Sequence, residues 1–339
     1  MLKLGLGSFS SLMAKSLTLA LALSLPLSAL ANQPIFDGDK PLELTFTADF
    51  SNLIENKDKL SDESQFPLTI EVAGEAALAG KIALRGGLRR GMCRFPPFKI
   101  EFDKRIKTPG TFLNVKELKL VTHCDSTMAP YGNLIREERL NYQLMEKFSP
   151  LALKTREAKI RYVDSSGKLA PIEGFAFFIE DGGDFAKRSG LTTNKTPVDG
   201  VEAVDPENLA EVALFQALIG NTDWGVIQAS TKSGHNVRIY RRQDNSIVLV
   251  PYDFDLAMIN STNTFYENTI ALPCIPQKAV DQATEKIKKF KSTAIQLYTE
   301  SNTISAEKKN DALSFLKSAY ERIESGVWPA NVLLLNCPE

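Results

Sequence analysis

Charge of one sign is what this chain most plainly lacks: 40 basic residues stand against 41 acidic ones in 339. That balance, with no basic run, leaves no footprint for nucleic acid or for an anionic membrane surface. Histidine is almost absent, at two residues, and cysteine is sparse, at four. No two cysteines stand at metal-binding spacing, so zinc held by cysteines with His123 and His235 is the lesser alternative to disulfides. G-x-S-x-G and H-E-x-x-H are both missing, which removes the usual signals for serine hydrolysis and metalloproteolysis. Only Trp224 and Trp328 offer sugar platforms for a carboxylate-pair glycosidase. Repeats, low-complexity tracts and coiled-coil heptads are also missing.

One apolar run opens the chain. Lys3 and Lys15 precede the uncharged stretch 17–27, and Ala29-Leu30-Ala31 supplies the small residues that signal peptidase reads. The expectation is a signal peptide over 1–31, cleaved after Ala31, and a periplasmic or secreted protein. The run falls short of the about 18 residues that a membrane span needs. No cysteine follows the small residues, against a lipoprotein, and no second run suggests a span in the mature chain. Cys93, Cys124, Cys274 and Cys337 remain, an even number for an oxidising compartment. Three pairings are possible, and the order of elements favours Cys93 with Cys124 and Cys274 with Cys337.

The first half reads as strands. Residues 42–50 alternate like an edge strand, and a charged loop follows over 55–63. Segments 67–72, 78–85, 98–102 and 117–121 suggest one antiparallel sheet, and 158–163 and 172–179 add two strands around the turn 164–167. A helix is expected over 132–148. The connection Gly86-Gly87-Leu88-Arg89-Arg90-Gly91-Met92-Cys93-Arg94 is rich in glycine and arginine, but it is neither a P-loop nor G-x-G-x-x-G. It reads either as a phosphate-covering loop or as a solvated hairpin loop.

The second half holds the chemistry. Asp205-Pro206-Glu207 begins a helix with an apolar face at Leu209, Val212, Phe215, Leu218 and Ile219. Gly220 stops it, and Asn221-Thr222-Asp223 follow as loop. Strands 237–240 and 247–252 flank the turn Asp244-Asn245, and Asp253-Phe254-Asp255 emerge where the second strand ends. Two carboxylate clusters joined by a hairpin can meet at one sheet edge, although Asp and Asn also serve as plain turn formers. Two amphipathic helices follow, with apolar steps from Val280 to Leu297 and from Leu313 to Ile323.

Asn221-Thr222-Asp223 and Tyr252-Asp253-Phe254-Asp255 resemble the CotH family of secreted atypical kinases, as does Arg85-Gly86 followed by Phe98-Lys99-Ile100-Glu101-Phe102. The resemblance spans about residues 84–256. It implies an α+β, two-lobed protein-kinase-like fold: an N-terminal antiparallel β-rich lobe with one helix over 32–182, and a mostly helical lobe with a catalytic β-hairpin over 183–339. It implies Mg²⁺ (or Mn²⁺) and ATP as cofactors and a protein hydroxyl as acceptor. Asp223 would orient and deprotonate the acceptor, and Asp253 with Asp255 would hold the metal. Lys119 and Glu138 would form the phosphate-positioning ion pair, with Lys99 and Glu137 as substitutes. Arg85, Arg89, Arg90 and Lys99 would lie along the nucleotide, and the backbone beside Glu180, in a hinge at 180–183, would face the adenine. Gln228 stands five residues after Asp223, where kinases carry a metal-binding Asn, and Asn236 is the alternative. The same residues suit an inactive nucleotide-binding module, or a nucleotidyl or glutamyl transferase.

Overall fold

The structure is a computed structural model that describes Met1 and residues 33–124, 131–196, 198, 203–226, 234–261 and 275–326. The expected signal peptide, the Cys274–Cys337 pair, Gln228 and Trp328 lie outside the described residues.

Seven strands close into a barrel. They are β1 (Leu42–Ala48), β2 (Gln65–Val72), β3 (Leu78–Leu84), β4 (Phe98–Glu101), β5 (Glu117–Thr122), β6 (Thr155–Asp164) and β7 (Ile172–Ile179), in the order β1-β2-β3-β4-β5-β7-β6. Closure comes from β1, which pairs antiparallel with β2 and parallel with β6, from Leu42 opposite Ala158 to Ala48 opposite Asp164. This overturns the expected two-lobed kinase-like architecture with an open antiparallel sheet and 42–50 at its edge. Alternation in a sequence reports which face a residue takes and is silent about a strand's neighbours, so closure leaves no trace in it. Leu44, Phe46, Ile70, Ile82, Ile100, Leu118, Leu120, Ile160 and Phe178 are buried together in the barrel core.

Helices cover the barrel and extend beyond it. α1 (Phe50–Glu55), capped by Asp49, fills the span between the expected strand and the expected charged loop and takes the end residue of each. α2 (Leu88–Met92) forms inside the glycine- and arginine-rich connection. α3 (Tyr131–Phe148) matches its expected span and packs with the later helices α6 (Gln277–Glu300) and α7 (Ala306–Ser325) in a second core. That core includes Val121, Phe177 and Ile179 from the barrel wall, so the two cores share β5 and β7. Asp181 caps α4 (Gly182–Arg188), so the expected hinge is the start of a helix. A Cβ at Gly182 would press on the Arg238 guanidinium and the Tyr240 hydroxyl, so a side chain there would require both to shift. After β8 (Thr192–Thr193) comes α5 (Pro206–Leu218), capped by Asp205 and buried on nearly every face. The hairpin of β9 (Val237–Arg241) and β10 (Ile247–Pro251) completes a three-stranded sheet with β8.

Cys93 and Cys124 form a disulfide, as expected, with Cα atoms 4.7 Å apart. It joins the end of α2 to the end of β5, and it removes both sulfurs from any zinc site.

Candidate functional site

The acidic loop after α5 is shaped by a glycine and an amide. Gly220 takes φ +65°, and a Cβ there would press on Met258 and Phe315, so glycine is required twice over. The chain then turns into Asn221, fully buried, whose Nδ2 donates to Gln216 Oε1 at 3.0 Å. Asn221 Oδ1 accepts from the Asp223 backbone N–H at 3.1 Å, a local turn that presents the Asp223 carboxylate. Gly225 and His235 exchange both backbone hydrogen bonds, which closes the base of the loop. His235 Nε2 then lies 2.8 Å from Asp223 Oδ1, and Asn236 Nδ2 donates to Asp223 Oδ2 at 2.9 Å and to its backbone carbonyl at 2.7 Å.

The second loop is anchored by an aromatic. Phe254 is fully buried against Tyr142, centroids 4.8 Å apart, and against Phe215. Asn260 donates to the carbonyls of Phe254 and Asp255, and its own carbonyl accepts from Asn141. Asp253 takes φ +64°, and its N–H donates to the Tyr142 hydroxyl at 2.9 Å. A buried Phe254 fixes the loop while the carboxylates on either side of it face the cleft.

Glu138 lies one turn before Tyr142 on the same face of α3. Its partner is Arg89, at 2.7 Å, which also lies 2.8 Å from Asp255 and 3.8 Å from Asp253. The expected Lys119–Glu138 ion pair is therefore replaced by an arginine from α2. Burial drives Glu138 up to about 8; Arg89 opposes this, while Asp255 and Asp253 reinforce it. Burial also raises Asp253, again against Arg89 and with help from Asp255. Arg89 is raised as well: burial disfavours its charge, but Glu138, Asp255 and Asp253 outweigh that and hold it protonated.

These groups line one cleft of about 270 Å³ between the barrel and the hairpin. Asp223, Asp253, Asp255, Glu138, Asn236, Arg85, Arg89 and Lys119 all border it, with Val121, Leu153, Ile179 and Leu256 as apolar wall. Burial lowers Arg85. Among the described residues neither Arg85 nor Lys119 has a carboxylate within ion-pair distance, so two cations face the cleft uncommitted.

Other expected residues are placed elsewhere. Arg90 turns toward the segment after α1, bonding Asp62 at 2.6 Å and the Lys57 carbonyl. Lys99 sits opposite Lys119 in the β4–β5 register and pairs with Glu101 at 3.3 Å. Glu180 is a buried structural acid held by Arg188 at 2.9 Å and by the Lys154 N–H. Glu137 is buried outside the cleft lining, near Lys308 and Arg136, and burial raises it. His123 stacks on Phe95 at 4.6 Å. His235, Arg238 and Tyr142 also border the cleft without having been singled out for it, and Tyr252 borders it as part of the Tyr252-Asp253-Phe254-Asp255 segment; the histidine directly before Asn236 at the hairpin's start was the available signal. A larger open depression of about 600 Å³ lies away from these carboxylates, and its two cations are paired within it, Arg242 with Asp205 and Lys286 with Glu211.

A divalent cation fits this donor set in one way. Among the described residues no three His, Cys, Asp or Glu are grouped to hold a metal by themselves. Asp253 and Asp255 are two hard oxygen donors on one loop, which suits Mg²⁺ arriving on phosphates and keeping several of its waters. Asn236 has its amide nitrogen committed to Asp223.

No helix among the described residues is long and apolar enough to cross a membrane. No family model matches the chain, so the CotH resemblance gains no support there. No curated protein matches it either. Among solved structures the chain is weakly similar to "The structure of hydra Fam20 with sugar", with a TM-score of 0.27 and 8% identity over 90% of this chain and 92% of that one.

Proposed function

We propose that the cleft binds a nucleoside triphosphate such as ATP with Mg²⁺ or Mn²⁺ and transfers its terminal phosphoryl group to a hydroxyl, with a protein side chain as acceptor. The observation that carries this is the meeting of Asp223 and the Asp253–Asp255 loop in one cleft with Arg85 and Lys119, cations that no carboxylate pairs among the described residues. Phosphoryl transfer asks little covalent chemistry of a protein and much positioning of charge. Arg85 and Lys119 would receive phosphate oxygens, Arg by its planar fork and Lys as a point charge. Asp253 and Asp255 would hold the cation, which neutralises charge on the phosphates when bound. The acceptor hydroxyl would lie on the side of Asp223 and His235, and its proton would leave in that direction.

A nucleotide-binding module without transfer is the second reading. The contact of Arg89 with Asp255 at 2.8 Å favours it, since that arginine engages a carboxylate the metal would use. Thermal shift with ATP, with and without Mg²⁺ or Mn²⁺, tests binding. Ligand at a hundred times its dissociation constant should stabilise by about 2.7 kcal/mol. Transfer of γ-phosphate label to protein acceptors separates the two readings, and no metal-dependent shift at millimolar ATP would refute both.

A further inference from the structure

Asp223 is occupied in a way that an unassisted base would not be. Each of its carboxylate oxygens already accepts a hydrogen bond, Oδ1 from His235 and Oδ2 from Asn236. An ionised carboxylate only accepts, so the proton in the 2.8 Å contact belongs to His235 Nε2. In the neutral ring Nδ1 is then the bare nitrogen, and no hydrogen bond reaches it among the described residues. His235 borders the cleft, and its side chain is 41% exposed. A carboxylate that fixes the tautomer and orientation of an imidazole whose other nitrogen is free is the arrangement of a histidine base with its orienting acid.

We propose that His235 is the general base of the transfer and that Asp223 orients it, an assignment that rests on the phosphotransfer reading above. As the acceptor oxygen bonds to the terminal phosphorus, its O–H bond breaks and the proton goes to His235 Nδ1. The bond from phosphorus to the bridging oxygen breaks, and its electron pair leaves on the nucleoside diphosphate. Asp223 stabilises the imidazolium, which returns its proton to solvent.

The test uses His235→Gln and His235→Ala in the full chain. Glutamine keeps an N–H for Asp223 but has no basic nitrogen, so it separates a base from a hydrogen-bond donor that merely positions. Both variants should lose about a hundredfold or more in kcat, with the KM for Mg-ATP within about twofold of the parent. Free imidazole should restore at least about tenfold to His235→Ala and nothing to Asp223→Asn. A His235→Gln protein that transfers at the parental rate overturns the proposal, and so does His235→Ala that melts like the parent yet gains nothing from imidazole. With two histidines in the chain, imidazole ¹⁵N spectra report the ring without turnover. The expected signature is a proton on Nε2 and a bare Nδ1, and a proton on Nδ1 overturns the proposal. A parent that shows the expected signature but transfers nothing refutes the phosphotransfer reading, and the base role falls with it.

Discussion

Arg89 and Glu138 form a buried ion pair 2.7 Å long, and the Glu138 side chain is only 1% exposed. Two further carboxylates, Asp253 and Asp255, face the same guanidinium. Removing one partner of a buried pair leaves the other uncompensated. Above about pH 8, where Glu138 is ionised, Arg89→Met should therefore destabilise the fold by about 3–5 kcal/mol in urea unfolding, and adding Glu138→Gln should recover part of the loss. If the single and double variants unfold alike, the two side chains are not coupled.

The same pair sets a pH dependence. Glu138 is raised from an ordinary 4.5 to about 8, chiefly by burial. The folded state thus holds a proton that the unfolded state has lost across that window. Unfolding free energy should be highest at the acid end of the window and fall as pH rises from about 4.5 to about 8. Glu138→Gln should flatten this slope, measured as urea midpoints across the range. Stability that rises through the window in the parent, with no change in the variant, would contradict the assignment.

Metal and acceptor groups should separate by mutation. Asp253→Ala should lose the Mg²⁺-dependent part of the ATP thermal shift, whereas Asp223→Asn should keep it and lose label transfer. Lys119→Met should weaken ATP binding about tenfold or more while leaving the melting temperature without ligand near that of the parent, since among the described residues no carboxylate pairs with Lys119. Parental ATP binding in Lys119→Met would remove that residue from the phosphate site.

The Cys93–Cys124 disulfide closes a loop of sequence separation 31 and ends the short helix that carries Arg89. Replacing both cysteines by serine should cost roughly 3–4 kcal/mol by the chain-entropy estimate. Because Arg89 is held through that helix, the ATP-dependent thermal shift should shrink as well. A loss of stability with an unchanged shift would show that Arg89 is positioned without the disulfide.

Local elements were legible wherever the apolar pattern and the punctuation agreed. The α5 helix follows from Asp205-Pro206 at its start and Gly220 after its end, and the hairpin follows from its turn at Asp244-Asn245, with Asn245 at φ +68°. Asp223, Asp253 and Asp255 could be singled out because both acidic loops carry their own turn chemistry. The Cys93–Cys124 pairing was legible from the order of the elements around it.

Other features required the tertiary structure, because they depend on what meets a residue across space. The parallel pairing of β1 with β6 joins segments about a hundred residues apart, and alternation within either strand is the same whether the sheet is open or closed. Lys119, with Lys99 as substitute, was the expected partner of Glu138, and the place fell to Arg89 because α2, tied down through Cys93, brings a guanidinium into the buried gap between Glu138 and Asp255. Arg90, one residue on, is aimed the other way by the same helix and joins Asp62. A sequence by itself determined which residues were able to carry charge and where the chain turned; packing decided which of those charges share one low-dielectric cleft, since burial and partner distance set their interaction and neither is a property of a residue alone.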